Sequence, residues 1–342
     1  MNTSDDPILI WGAGAIGGTV GAWLARAGQQ VLLVDQVAEH VQAINADGLA
    51  IEGPIEAFTV AVPAAVPEAV AGRYRRVLLC VKAHHTAAAA RQLAPHLADD
   101  GYVASFQNGL NEFVIADVVG MARVVGAFIN FGADYLAPGR ILHGGRGACV
   151  LGELDGTRSP RVVALHALLL GFEPNAVITD NIVGFLWGKL GYGALLFATA
   201  LTDDSIADVL ADPASRDVLA ALAGEAMRVA AAKGIRAEGF NGFVPAAFAP
   251  GGTRAMVDAS MAAMVAHNRK SAKSHSGIWR DLAVRRRPTE VDAQLGPVVA
   301  EGAALGIATP ITARLIGMIH AIENGTRPLD RANLADLAQG AD

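Results

Sequence analysis

Apolar residues come as short unbroken runs in the first half of the chain and as helical stripes in the second, and this change of rhythm divides the sequence. Ile8, Leu9 and Ile10 form a continuous apolar run, as in a parallel strand covered on both faces. A glycine-rich turn, a helix and a second strand over 31–34 follow, ending on Asp35. The alternation continues with a helix over 37–46, a strand pair around Ala50 and 58–62, a strand over 76–81, a helix over 86–97 and a strand over 102–106 that ends in Gln107-Asn108-Gly109. Strand and helix in alternation predict a doubly wound parallel sheet. Residues 123–153 are strand-rich and glycine-punctuated, and predict two or three antiparallel strands that extend it. A helix over 160–169 and a strand over 173–178 then close a first domain, 1–178. From Asn181 the strand signal vanishes. Residues 181–237 and 250–323 keep helical periodicity broken at Asp212-Pro213, Pro245 and Pro250, so 179–342 reads as an all-helical domain.

The turn after the first strand is Gly12-Ala13-Gly14-Ala15-Ile16-Gly17, a Gly-x-Gly-x-x-Gly pattern in its strand-to-helix context. Gly12 allows the tight turn, Gly14 lets the backbone approach a pyrophosphate, and Gly17 lets the helix pack closely, with its N-terminal amides offered to the phosphates. Asp35 stands where an acid would accept from an adenosine ribose 2′-hydroxyl, which favours NAD and repels the 2′-phosphate of NADP. NADP stays open, because Lys82 or an arginine from elsewhere could meet that phosphate. The fold class is therefore α/β: an N-terminal Rossmann-type doubly wound sheet followed by a helical C-terminal domain. Ligands of such sheets sit beyond the carboxyl ends of the strands, and Lys82 and Asn108 both fall just past strand ends. Taken singly, Lys82 is equally a solvated lysine and Asn108 part of an ordinary Asn-Gly turn.

Composition narrows the partners. The net charge of −6 gives no reason to expect nucleic acid, and the one compact basic run, Arg285-Arg286-Arg287, reads as a solvated surface or an anion contact. Cys80 and Cys149 lie in apolar runs and read as buried reduced thiols. The nine histidines show no metal-ligand spacing. Residues 8–25 carry no charge until Arg26, yet five glycines interrupt them and Asp5 and Asp6 precede them, against a membrane span or signal sequence. A cytoplasmic enzyme is expected.

Carbonyl chemistry by hydride transfer needs a proton donor beside the reacting oxygen and groups that hold the substrate. Lys189 is the single charge in the apolar stretch 181–202. It either snorkels to solvent or points into a cleft, where desolvation makes a lysine a useful acid near neutral pH. Glu290 and Asp292 follow Pro288 and Thr289, as in a helix capped by Thr289 with an acidic first turn.

The segments GAGAIGG, VKAHHT, Gln107-Asn108-Gly109, LWGKL around Lys189, DL…RPTEVD over 281–292 and GIATPITARL together resemble the ketopantoate reductase (2-dehydropantoate 2-reductase) family from end to end. The resemblance implies a cofactor clamped by a Rossmann and a helical domain. It makes Lys189 the catalytic lysine, Glu290 the glutamate that bonds the substrate hydroxyl, Asn108 the asparagine that touches nicotinamide ribose and substrate, and Lys82 the lysine near the adenosine ribose. It also exposes departures. The positions one and two turns after the lysine, where the family has substrate-holding asparagines, are Gly193 and Phe197. The serine four residues before Asp281 is Gly277, and the spacing from Asp281 to Glu290 is one residue longer. Ser274, His275, Ser276 and Arg280 are the nearest polar replacements. The expected activity is an NAD(P)-dependent reductase or dehydrogenase, homodimeric as related enzymes are, acting on a 2-oxo acid or related carbonyl compound other than ketopantoate, larger or more apolar. A rearranged but genuine 2-dehydropantoate 2-reductase and a non-catalytic dinucleotide sensor are the alternatives.

Overall fold

The computed structural model describes residues 6–270 and 274–339. The chain forms two compact units, Met1–Ile182 and Val183–Asp342.

In the first unit the described residues build one ten-stranded sheet. Its parallel part runs, in spatial order, β5 (Ala64–Ala65), β2 (Val31–Val34), β1 (Ile8–Trp11), β6 (Tyr74–Leu79), β7 (Leu97–Ser105) and β8 (Val124–Ala137). β9 (Arg140–Glu153) returns antiparallel on β8; β3 (Leu49–Glu52) pairs parallel with its start and β10 (Val177–Ile178) with its end, while β4 (Phe58–Val60) edges β3. The helices are α1 (Ala15–Arg26), α2 (Ala38–Asp47), α3 (Thr86–Leu93), α4 (Asn111–Val119) and α5 (Pro160–Leu169). Successive side chains of a strand point to opposite faces. Ile8 and Ile10 accordingly pack with Val20 and Leu24 of α1, and Leu9 and Trp11 with Leu93 of α3 and Ile115 of α4. Covering both faces explains why these strands read as unbroken apolar runs. Because β1 lies between β2 and β6, the chain reverses direction across the sheet beside the glycine turn, which is the switch point where such sheets hold ligands.

Three sequence expectations shift. The helix predicted to reach residue 97 ends at Leu93, because Pro95 admits only a 3-10 turn over Ala94–His96, and β7 starts at Leu97. β8 joins β7 in parallel, so only the β8–β9 pair of that glycine-rich region is antiparallel. The strand expected over 173–178 shrinks to Val177–Ile178, since a turn from Ala176 N–H to the Glu173 carbonyl occupies its first half. Cys80 and Cys149 are free thiols whose pKa burial pushes up, so neither is poised to react.

The helical unit comprises most of α6 (Ile182–Thr199), α7 (Ile206–Ala211), α8 (Arg216–Ala232), α9 (Pro245–Phe248), α10 (Arg254–Lys270), α11 (Gly277–Trp279), α12 (Val291–Ala304), α13 (Pro310–Glu323) and α14 (Ala332–Ala338). By length and composition α6 could cross a membrane, but 72% of it is buried, as in a core helix. Gly188 of α6 lies against the Glu238 carbonyl with no room for a Cβ, and a Cβ on Gly191 would come 2.8 Å from Met227 Cε. The GIATPIT segment has an equally specific cause. Glu225 of α8, fully buried, accepts from the amides of Ile311 and Thr312 (2.9 and 2.7 Å) and from the Thr312 hydroxyl (2.6 Å), and so satisfies the first turn of α13.

One buried group in the first unit lacks such partners. His143 of β9 is fully buried among Trp23, Phe131 and Phe172, and neither ring nitrogen has a hydrogen-bond partner among the described residues. Burial lowers its pKa below the usual 6.5, and Arg146 lowers it further while Glu173 partly opposes. The unfolded chain therefore binds the proton more readily, and stability falls as pH drops below about 6.5. Urea unfolding at pH 7.5 and pH 5 should show the His143→Phe protein losing less stability on acidification than the parent; equal losses would place the acid sensitivity elsewhere.

Candidate active site

The glycine turn is shaped by three different demands. Gly12 sits at φ +103°, where an L side chain is strained, and an added Cβ would lie 2.8 Å from the Val81 amide nitrogen. Gly17 abuts the Gly12 carbonyl so closely that a Cβ has no place, and that one would also lie 2.8 Å from Cys80 Cβ. Gly14 instead has nothing within 4 Å of its would-be Cβ. It faces open space, as a backbone that must admit a phosphate should. Gly14 is also the N-cap of α1 and makes no side-chain cap bond, so the first-turn amides of Ala15, Ile16 and Gly17 have no intrahelical acceptor. These residues fit a dinucleotide pyrophosphate.

The turn is locked from two sides. Asp35 accepts from the Ala13 amide through one carboxylate oxygen and from the Val37 amide through the other, both at 3.0 Å. The Ala13 amide is also 3.0 Å from the Val34 carbonyl, so it is spent on the loop and is not offered to a ligand. His40 of α2, buried, takes the Gly139 amide on Nδ1 at 2.9 Å; Nε2 therefore carries the proton and donates to the Ala13 carbonyl, also at 2.9 Å. Nothing in the sequence marked His40, because its partners are backbone groups 27 and 99 residues away.

A buried polar chain fixes the loops after β6 and β7. Gln107 Nε2 donates to the Val81 carbonyl and to Thr86 Oγ1, both at 2.8 Å; Thr86 Oγ1 lies 2.7 Å from the Ala83 carbonyl and from Asn111 Oδ1; and Asn111 Nδ2 donates to the Asn108 carbonyl at 2.6 Å. Gln107, Thr86 and Asn111 are buried, whereas Asn108 is exposed and Lys82 half-buried. The network thus positions Lys82 and the exposed Asn108 side chain at the strand ends. The sequence drew attention to Asn108 but not to the three residues that hold it.

In the helical unit Lys189 is half-buried on α6, as are Phe185, Gly193 and Leu196. Their spacing of three or four residues puts them on one face. Phe197 is fully buried in the core, which corrects its place among the substrate-binding candidates: the half-exposed position two turns after Lys189 is Leu196. Gly193 lies opposite Gln294 of α12, and its would-be Cβ is 3.8 Å from Gln294 Oε1. Glu290, half-buried, is the N-cap of α12 and makes no side-chain cap bond, so the cap falls on Glu290 where Thr289 was expected. Thr289 still serves that turn, its hydroxyl oxygen accepting from the Val291 amide at 3.3 Å, and it donates from its amide and its hydroxyl to Glu323, both at 2.7 Å. Asp292 pairs with His320 at 2.9 Å.

The polar replacements are largely engaged in holding the chain. Ser276, buried, caps α11 by accepting from the Trp279 amide, which corrects its assignment as a substrate group. The Ser274 hydroxyl meets His275 Nδ1 at 2.8 Å, His275 Nε2 reaches the Asp203 carbonyl at 3.0 Å, and the ring lies over Trp279; this too departs from their expected role. A Cβ on Gly277 would meet nothing within 4 Å. Arg280 is half-buried and opens a π-helical turn, Arg280–Val284, closed by the Arg285 amide on the Arg280 carbonyl at 2.8 Å. A π turn holds one residue more than an α turn, and an irregular loop over 285–289 separates it from α12. Arg285 and Arg287 both bond Asp281, at 3.1 and 2.9 Å, so the basic run is in part an internal anion contact.

The family model for ketopantoate reductase PanE/ApbA matches residues 8–156, and the model for its C-terminal part matches 181–323. A 2-dehydropantoate 2-reductase of Mesorhizobium japonicum is 29% identical over 93% of this chain and 98% of its own length, and one of Halobacterium salinarum is 29% identical over 92% and 97%. Among solved structures, a PanE/ApbA family ketopantoate reductase from Ralstonia eutropha JMP134 superposes with a TM-score of 0.79 at 28% identity, over 93% of this chain and 99% of that one. A D-mandelate dehydrogenase solved with NADH and anilino(oxo)acetate shares the fold, with a TM-score of 0.80 at 24% identity over 93% and 99%.

The contrast between Gly14 and Gly17 is directly testable. Gly17→Ala must push α1 off β1, a local overpacking that costs about 1–3 kcal/mol, and should abolish NADH binding in a fluorescence titration; Gly14→Ala should fold like the parent and lose affinity only. Equal behaviour of the two variants would count against the assigned geometry.

Proposed function

The chain belongs to the ketopantoate reductase family, an NAD(P)-dependent group of oxidoreductases that interconvert ketones and secondary alcohols, and we propose that it reduces a 2-oxo acid or related ketone larger or more apolar than ketopantoate, with NADH preferred. The observation that carries this reading is the half-exposed stripe of α6, where Lys189 is the one charge among Phe185, Gly193 and Leu196. The first unit holds the dinucleotide at Gly12, Gly14, Ala15, Ile16 and Gly17, while Ala13, its amide and carbonyl both taken up within the protein, shapes the turn; Asp35 lies toward the adenosine ribose, and Lys82 and Asn108 stand at the strand ends. A bound nicotinamide supplies the hydride to the carbonyl carbon. Lys189 as the ammonium gives a proton to the carbonyl oxygen as that oxygen gains charge, and recovers one from solvent; in the reverse direction the amine takes the hydroxyl proton. Glu290, at the start of α12, accepts from a substrate hydroxyl. Arg280 holds an anionic group of the substrate. Retention of both Lys189 and Glu290 argues against a sensor without catalysis.

The preference for NADH rests on Asp35. Its carboxylate is fixed by the Ala13 and Val37 amides beside the turn, where a fixed anion repels a 2′-phosphate. The preference for another substrate rests on Gly193 and Gly277, which offer no hydrogen-bonding side chain where a small hydroxylated acid would need one. Sites that read substrates by hydrogen bonds discriminate strongly, and apolar ones weakly. A genuine 2-dehydropantoate 2-reductase is the second reading, favoured by relatives of that name that match nearly the whole chain.

Turnover with NADH and NADPH against ketopantoate and a series of larger 2-oxo acids separates the two readings: faster reduction of ketopantoate than of any other member selects the second. Lys189→Ala should lower kcat by roughly 10²- to 10⁴-fold and leave the NADH Kd within about twofold; undiminished turnover removes the lysine from the mechanism. Asp35→Ser should narrow the gap between NADH and NADPH in kcat/KM, and an unchanged ratio would show that the acid does not read the ribose.

A further inference from the structure

The β8–β9 hairpin lies along α1 as well as extending the sheet. Residues directly opposite each other on an antiparallel pair share a face, and the register pairs Ala133 with His143 and Tyr135 with Ile141. His143 meets Trp23 of α1, with ring centroids 6.1 Å apart, and Ile141 reaches Gly18 in the first half of that helix, so this face of the hairpin is turned to α1. Tyr135 shares the face, near the tip. Its ring stands edge-on to His40, with centroids 5.0 Å apart, and His40 is the residue that holds the Ala13 carbonyl and the Gly139 amide. The histidine that braces the glycine turn thus also places Tyr135 beside it. Burial raises the phenol pKa above the usual 10, and the charges of Asp35 and Glu39 raise it further, which puts the ring within electrostatic reach of the carboxylate at the end of β2. Even so, Tyr135 is 37% exposed, and Val37, whose amide Asp35 holds, is 46% exposed. A fixed aromatic ring and an exposed valine therefore accompany the acid that faces the ribose.

We propose that Tyr135 is a cofactor-binding residue whose exposed ring forms a wall of the adenosine subsite, contributed by the hairpin and not by the strand-turn-helix motif. The inference rests on the reading of the glycine turn and Asp35 as the dinucleotide site. The ligand chemistry that fits is a nucleoside: a flat base and a ribose give a tyrosine ring apolar area to cover, and the ribose hydroxyls give Asp35 its donors. Because His40 already holds the ring, little side-chain freedom is lost when a ligand covers it. Covering it also removes water from around Asp35, and a hydrogen bond to a carboxylate is stronger where water is excluded.

The test is binding to the full chain without substrate, by calorimetry with NADH and with ADP-ribose, which keeps the adenosine and pyrophosphate and lacks the nicotinamide. Tyr135→Ala should raise both dissociation constants together by about 10-fold. Tyr135→Phe, which keeps the ring, should stay within about twofold of the parent. Tyr135→Leu keeps apolar bulk against His40 without a flat face, and should lose about as much as Tyr135→Ala. Thermal melting of all three should match the parent, since the side chain is exposed. Full affinity in the Leu protein would mean that the residue only braces the turn, and overturns the proposal; so does an unchanged affinity for ADP-ribose in the Ala protein. If the parent binds NADH and ADP-ribose while no Tyr135 variant differs from it, the cofactor reading stands and this inference alone falls; binding of neither by the parent removes both.

Discussion

The close approach of α1 to β1 is the constraint on which the first unit depends. Gly17 and Gly18 pack against the Gly12 carbonyl and Ile141 with no space for a Cβ, and a Cβ on Gly21 would lie 2.5 Å from Leu33. Three glycines in one helix sacrifice helix propensity, at up to about 1 kcal/mol each. The gain is that the helix end lies directly over the strand end, where Gly14 opens to solvent and the first-turn amides converge. Glycines at 12 and 14 without those at 17, 18 and 21 would give a turn with no helix close enough to serve it.

The rest of the N-terminal site keeps that turn from moving. Asp35 and His40 hold Ala13 by its amide and its carbonyl respectively, and His40 carries the restraint on to Gly139 at the tip of the β8–β9 hairpin. The Gln107–Thr86–Asn111 chain does the same for the neighbouring loops. Both devices end on backbone groups and rely on side chains that are buried in every case but the half-buried Asp35, which suits a site whose exposed residues must keep their own polar atoms for a ligand.

Much of this was legible in the sequence because it is periodic or local. The apolar runs, the Gly-x-Gly-x-x-Gly spacing, Asp35 at the end of its strand and the lone Lys189 are statements about neighbours along the chain. His40, Gln107, Thr86 and Asn111 escaped because the bonds that join them into a network span 21 to 99 residues and carry no shared motif, whatever local bonds Thr86 and Asn111 also make. Phe197 was misread for a related reason. Counting two turns from Lys189 reaches both 196 and 197, and only the packing of α6 decides that Leu196 is on the open side. Ser276 was misread because a helix cap and a substrate ligand ask for the same hydroxyl.

The π turn at Arg280–Val284 has a wider bearing. An inserted residue inside an α-helix ordinarily rotates everything beyond it by about 100°, a consequence of 3.6 residues per turn. Here the surplus is confined to a single loop of backbone, pinned by Arg285 and Arg287 on Asp281, and α12 begins in its own register with Glu290 at its cap. The direction of α12 is therefore set by its own packing and by the Thr289–Glu323 bonds, and not by the register of the turn before it. Length and direction are thereby separate properties of this segment: a residue added to the loop changes its contour and leaves the face of α12 as it is.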